Sequence, residues 1–225
     1  MLQLPYLYHD KDHMWKVLDG KIGQDLLNGM NEKANVVGLS WYDAGARSFY
    51  ITDHEINSLD DLQGLKIRVQ ESSLMVDMIK ALGADPVPMT YQGVEKALED
   101  KTIDGAENNW SFYESSNHYK IAKYYVVDEH TRIPEIQMVS KKVWDSLSSN
   151  DQKLIRECAI ESAEFEKGEF EKREQLAQEN LAKNGVVVIN LTPEVKEEFV
   201  EAMKSVYDEY GANIQDLITA IQETK

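Results

Sequence analysis

Leu65-Lys-Ile-Arg-Val-Gln-Glu-Ser72 opens a stretch that runs to Trp110 and decides the fold. Leu65–Val69 is a short strand-forming run, Ser73–Leu82 carries helical periodicity, and Pro86–Met89 is extended again. Tyr91–Asp100 reads as a second helix and Thr102–Glu107 as a third strand. The order β-α-β-α-β implies parallel strands joined by right-handed crossovers. In open α/β sheets ligands sit beyond the carboxyl ends of the strands. Two ligand-capable side chains stand near those ends: Arg68, one residue before the end of the first strand, and Asn108, just past the third. The helix after Arg68 opens at Ser72 and Ser73, so its free amides and positive dipole end point the same way. The pattern predicts a site for a small anion, and a carboxylate suits it.

The composition narrows the partners. The chain has 225 residues, enough for one large domain or two small lobes, each with its own core. A hydrophobic fraction of 42% with four Trp indicates a globular protein. The formal net charge of −16 argues against nucleic acid or an anionic membrane surface as partner. An acidic protein that binds an anion must gather a few cations in a pocket, so single arginines carry weight. The one cysteine, Cys158, excludes an internal disulfide. No apolar run approaches the ~18 residues of a membrane span. Met1-Leu-Gln-Leu-Pro-Tyr6 lacks the basic and apolar regions of an export signal.

Outward from the central stretch, Asp12–Leu18 and Ile22–Lys33 read as helices, and Asn35–Tyr42 as a nearly continuous apolar strand. Ala46–Thr52 is a strand, and Ser58 caps a short helix that stops at Gly64. Tyr113–Ala122 is helical, with strands at Tyr124–Asp128 and Pro134–Ser140. Ser149-Asn-Asp-Gln152 has the form of a capping box and opens a helix to about Lys183. At 1.5 Å per residue this helix is roughly 50 Å long, against ~30 Å for a small domain. It is either a protruding arm or a spine shared by two lobes, and the elements after it favour the spine. Val186–Asn190 is a strand, Thr192-Pro193 starts a helix to about Tyr210, and Asn213–Gln222 is the last helix.

These residues resemble a known family, the solute-binding proteins of tripartite ATP-independent periplasmic (TRAP) transporters. The likeness is carried by Leu4-Pro-Tyr-Leu-Tyr8, His13-Met-Trp-Lys-Val-Leu-Asp-Gly20, Leu62-Gln-Gly-Leu-Lys-Ile-Arg-Val69, Ala81-Leu-Gly-Ala-Asp-Pro-Val-Pro-Met89, Asp104-Gly-Ala-Glu-Asn108 and Ser140-Lys-Lys-Val-Trp-Asp-Ser-Leu-Ser148. It implies an α/β, two-lobed periplasmic-binding-protein-like fold with a long bridging helix. The first lobe would be residues 1–45 with 134–173, and the second 46–133 with 174–225. Members of the family carry a longer segment before the equivalent of Leu4, so the first lobe is expected to be incomplete and the export signal to lie upstream.

The resemblance also implies roles. Arg68 corresponds to the arginine that pairs with the ligand carboxylate, and Arg47 to a second arginine beside it. Asn108 matches a ligand-bonding asparagine and Tyr91 an aromatic that packs on the ligand; Trp110 is a further candidate. Asp43-Ala-Gly-Ala-Arg-Ser-Phe-Tyr50 and Glu107-Asn-Asn-Trp-Ser-Phe-Tyr113 look most like members that bind hexuronates such as glucuronate or galacturonate. The implied protein is no enzyme, needs no cofactor, works outside the cytoplasm and passes its ligand to membrane permease subunits. Alternatives are another organic acid (a C4-dicarboxylate or sialic acid), a cytoplasmic regulator's sensing domain, or a sugar-acid enzyme.

Each residue also has an ordinary structural reading. Arg68 and Arg47 could pair with any of 40 acidic residues, Asn108 could form a turn, and Tyr91 and Trp110 could be core aromatics. The five histidines show no metal-ligand spacing. Asp104 and Glu107 could be read as a hydrolase pair, but acids this close are common by chance in so acidic a chain. Glu107 is better placed to orient Asn108 or Arg68 from behind.

Overall fold

The computed structural model describes residues 2–225. Helix α1 (Lys11–Asp19) is capped by Asp10, whose carboxylate accepts from the His13 amide at 2.7 Å. Helix α2 (Lys21–Ala34) ends at Asn35 in the left-handed conformation. Strand β1 (Val36–Tyr42) follows, and the chain turns through 43–45 into β2 (Ala46–Ile51). Gly45 makes that turn possible: its φ is +71°, and a Cβ there would meet Asn109, Glu174 and Phe170 at 3.2 Å.

The central stretch forms β3 (Lys66–Val69), α3 (Ser73–Ala81), β4 (Asp85–Pro88), α4 (Val94–Glu99) and β5 (Gly105–Asn108). As expected, β3 runs parallel to both β4 and β5. After α5 (Trp110–Ser115) come β6 (Tyr124–Arg132), β7 (Glu135–Ser140), the short α6 (Lys141–Trp144), and the long α7 (Ser149–Lys183). Strand β8 (Val187–Asn190) precedes α8 (Pro193–Ala202), α9 (Lys204–Gly211) and α10 (Gln215–Gln222).

Two sheets result. One has six strands in the order β4-β3-β5-β2-β6-β8; the other pairs β1 with β7 antiparallel. The chain passes between them at residues 43–45 and again at 133–134. Helix α7 runs past the first crossing and is tied there by two carboxylates. Glu166 accepts from the Asp43 amide at 2.9 Å and Glu174 from the Ser111 amide at 2.8 Å. The helix is therefore a shared spine and not a free arm. No helix among the described residues is long and apolar enough to cross a membrane.

The six-stranded sheet is covered on both faces. Ile67, Val69, Met75, Met78, Phe199, Met203 and Ile221 lie in one core cluster, and Tyr50, Ala106, Tyr113, Tyr125 and Leu181 in a second. The N-terminal residues reach this unit too. The Tyr6 amide donates to the His130 carbonyl at 2.8 Å, the Tyr207 hydroxyl to the Pro5 carbonyl at 2.9 Å, and His13 bonds the Ile221 carbonyl at 2.9 Å. Residues 5–13 thus pack against β6 and the last helices, although they precede β1 in the chain.

Several boundaries differ from the sequence reading. The third strand starts at Gly105, because Thr102 and Ile103 are held to the Ala97 carbonyl at the end of α4. It includes Asn108, which is its last residue and not a turn residue beyond it. Helix α5 starts at Trp110, three residues before the expected Tyr113, because Asn109 caps it by accepting from the Phe112 amide at 2.8 Å. The helix after β4 begins with a 3₁₀ turn at Tyr91–Gly93. Strand β6 continues past Asp128 to Arg132, where it pairs with Ala46 and Arg47 beyond an irregularity in the ladder. The cap of α7 is Ser148, one residue earlier than expected, and the helix from Pro193 breaks at Met203.

Candidate functional site

The carboxyl ends of β3 and β5 open into a cleft of about 510 Å³, lined by Arg47, Arg68, Gln70, Tyr91, Asn108 and Phe112 among others. Four of the five residues singled out from the sequence therefore meet at one place. Trp110 does not join them: it stacks on Tyr125 with ring centroids 3.7 Å apart and lines a separate depression beside α7. It faces away because it opens α5 immediately after the cap Asn109, and the helix turns its side chain toward Tyr125. Ser72 and Ser73 are not among the residues lining the cleft; Gln70, just past β3, reaches it in their place.

The two arginines are held differently. Arg68, 4% exposed, directs Nε and Nη2 to the Met89 carbonyl at 3.0 and 2.7 Å. A guanidinium has five N–H groups, so three remain, including both of Nη1. No acidic side chain pairs with Arg68 among the described residues. Burial pulls its pKa down, opposed by the charge of nearby Glu107. The Nη1–Nη2 end is free to grip a carboxylate at two points.

Arg47 is almost fully committed to the protein. Its Nε and Nη2 bind Glu107 Oε2 and Oε1 at 2.5 and 2.9 Å, Nη2 also meets the Glu107 carbonyl, and Nη1 donates to Asn108 Oδ1 at 3.0 Å. One N–H, on Nη1, is left for a ligand. Asn108 Oδ1 also accepts from the Asn109 amide at 2.9 Å, so its NH₂ is the group left to donate into the cleft. Glu107 thus acts from behind as expected, but its partner is Arg47, and Asn108 is oriented through that arginine.

Behind this pair lies a chain of buried groups that the sequence did not reveal. His130 Nε2 lies 3.4 Å from Glu107 and its Nδ1 2.8 Å from Asp128. Asp128 accepts in turn from the Tyr6 hydroxyl and the Phe49 amide. Burial alone would raise the Glu107 carboxyl, but the Arg47 charge and the bonds from His130 and Arg47 outweigh it and hold it down to about 2. Burial would lower His130, and the charge and hydrogen bond of Asp128 reverse that, raising it to about 9. Asp104 is engaged elsewhere, accepting from the Lys66 amide at 2.8 Å, so it forms no acid–base pair with Glu107.

The cleft mouth is aromatic. Tyr91 and Phe112 meet edge to face at 5.6 Å and are 40% and 47% exposed. Phe112 was missed from sequence. Its signal was the cap Asn109, which sets the helical face on which Phe112 falls. A large apolar ring left this open beside polar donors suits the apolar face of a sugar.

Comparison with known proteins identifies the family. Residues 1–213 match the family model of DctP, bacterial extracellular solute-binding protein, family 7. A solute-binding protein of Chromohalobacter salexigens is 37% identical over 228 residues, covering 100% of this chain and 67% of that protein. A TRAP periplasmic solute-binding protein from Bradyrhizobium, solved with galacturonate, superposes with a TM-score of 0.91 at 46% identity, covering 99% of this chain and 74% of that one. One from Chromohalobacter salexigens, solved with D-glucuronate, gives a TM-score of 0.94 at 37% identity, covering 100% and 74%. The chain belongs to the family 7 extracellular solute-binding proteins, which are receptors and not enzymes.

Proposed function

We propose that this protein captures a hexuronate, glucuronate or galacturonate, outside the cytoplasm and delivers it to the membrane permease of a TRAP transporter. The observation that carries the reading is the unfilled guanidinium end of Arg68 beside the NH₂ of Asn108, under an exposed aromatic pair. Arg68 takes the carboxylate at two points, Arg47 adds one N–H, Asn108 donates to a ring or hydroxyl oxygen, and Tyr91 with Phe112 packs on the ring. Solved relatives carrying galacturonate and glucuronate support that choice.

Capture proceeds by hinge closure between two lobes, one built on the β1–β7 pair and the other on the six-stranded sheet; residues 5–13, expected with the rest of 1–45 in the first lobe, pack on the second. The crossings at 43–45 and 133–134 are the hinges and α7 is the spine. A ligand that touches both lobes favours the closed state by the contacts it makes only there. Calorimetry and thermal shift with glucuronate, galacturonate, succinate, malate and sialic acid test the reading. A uronate at 100 times its Kd adds about 2.7 kcal/mol of stability. Preference for a C4-dicarboxylate or for sialic acid would overturn the ligand assignment, and the absence of any response to all five would overturn the function.

A further inference from the structure

The cleft contains one residue whose chemistry opposes its arginines. Glu135 lines the same cleft as Arg47 and Arg68, and it is exposed. Its side chain has no hydrogen-bond or ion-pair partner among the described residues, whereas its neighbours Glu129 and Asp43 are taken by Arg132 and Lys11. We propose that Glu135 is a specificity-determining residue: it accepts hydrogen bonds from the hydroxyls of a bound sugar acid and bars ligands with a second carboxylate. The inference rests on the solute-binding reading above and concerns the end of the ligand remote from Arg68.

The charges around the cleft support it. Arg47 and protonated His130 are balanced by Glu107 and Asp128, all four joined in one buried chain. Among the described residues that leaves Arg68 as the cation in the wall without an ion-pair partner and Glu135 as the anion without one. Glu71 acts on the Arg68 charge but is not part of the wall. The cleft therefore accommodates one ligand carboxylate, at Arg68.

Position supports it as well. Glu135 is the first residue of β7, paired with Tyr42 in the two-stranded sheet, immediately after the crossing at 133–134. Arg68 is the next-to-last residue of β3 and Asn108 the last of β5, both in the six-stranded sheet. A ligand bridging the two sheets presents its carboxylate to Arg68 and its other end to the sheet of Glu135. An ionised carboxyl is an acceptor only, so it matches hydroxyl donors and repels a second carboxylate, more strongly once closure excludes water.

The test compares D-galacturonate with galactarate, which has the same carbon skeleton and a carboxylate at each end. Calorimetry on the unsubstituted protein should show galacturonate bound more tightly by about tenfold or more, the scale of a desolvated like-charge contact. In Glu135→Gln, which keeps the shape and removes the charge, the ratio should fall to within about threefold as galactarate gains. Glu135→Ala should narrow it too, and should also weaken galacturonate because the acceptor is lost. Circular dichroism will show whether both variants are folded, as expected for an exposed position. An unchanged ratio in both variants, with galacturonate still bound, would overturn the role of Glu135 and leave the uronate reading standing. Equal binding of the two acids by the unsubstituted protein would do the same. Failure of the unsubstituted protein to bind either acid would remove the uronate reading and this inference together.

Discussion

Arg47 and Glu107 sit diagonally on neighbouring antiparallel strands, β2 and β5, and their side chains close a two-point ion pair at 2.5 and 2.9 Å with Glu107 fully buried. The cross-strand register that pairs Phe49 with Glu107 puts Arg47 two residues along on the same face, within reach of the carboxylate. One guanidinium is thereby spent on the protein, and its neighbour Arg68 is left for the ligand. Glu107→Gln should destabilise the fold by about 3–5 kcal/mol, because it strands a buried guanidinium. Thermal melting in the absence of ligand measures this. A shift no larger than that of an exposed control such as Glu197→Gln would show that the pair is not what fixes Arg47.

The same buried chain sets a pH dependence. His130 has a folded pKa raised to about 9 by Asp128 and Glu107 against the pull of burial, compared with about 6.5 for a free histidine. A raised pKa means that the stabilisation is complete below the unfolded value and is lost as pH rises through the folded one. Stability should therefore fall between about pH 6.5 and 9, by on the order of 1–3 kcal/mol. His118, lowered to about 4 by burial and Arg68, acts in the opposite sense only below about pH 6.5, outside that window. Denaturant melts across the range should show the fall in the unsubstituted protein and a flatter curve in His130→Gln. An unaltered slope in the variant would remove His130 from the account.

For Arg68 the expectations are different in kind. It pairs with no acid but donates twice to the Met89 carbonyl, so its loss should lower melting less than Glu107→Gln does while abolishing the two-point grip on a carboxylate. Arg68→Ala should weaken uronate binding by about 2–5 kcal/mol, the usual cost of removing one partner of a buried charge pair. Arg68→Lys should recover part of this, since an ammonium cannot present the planar fork. Calorimetry on a folded Arg68→Ala protein with unchanged affinity would sink the assignment.

What the sequence disclosed follows from which interactions are local. The parallel β3-β4-β5 unit was legible because each of its helices is short, periodic and bounded by Gly or Pro, and Arg68 came with it as a strand-end residue. Asn109 was not recognised as a cap, although Asn before an apolar helix start is a readable signal, and with it went Phe112 and the true orientation of Trp110. The Tyr6–Asp128–His130–Glu107 chain could not be read from one sequence. Its bonded members are up to 122 residues apart and meet only through the register of β2, β5 and β6. The packing of residues 5–13 onto the last helices is equally non-local, and nothing in Leu4-Pro-Tyr-Leu-Tyr8 announces its partner.

The two sheets should also differ in how firmly they hold. Among the described residues strand β1 pairs only with β7, and that ladder is interrupted between Gly38 and Ser40. Among the described residues both outer edges of this pair lack a strand partner, and Met138 and Val143 on or beside it are exposed. Strands β3 and β5 are flanked on both sides within the six-stranded sheet, and Ile67, Val69 and Ala106 are completely buried. Local opening depends on how many buried contacts and backbone bonds must break together, so β1 and β7 should open at lower cost. Hydrogen exchange on this chain should show strong protection across Leu65–Val69 and Gly105–Asn108 and weak protection across Asn35–Trp41. A saturating uronate should raise protection at Arg68 and Asn108 first, with β7 following only if the ligand bridges to Glu135. Equal protection of the two sheets in the free protein would mean that β1 and β7 are held by more than each other.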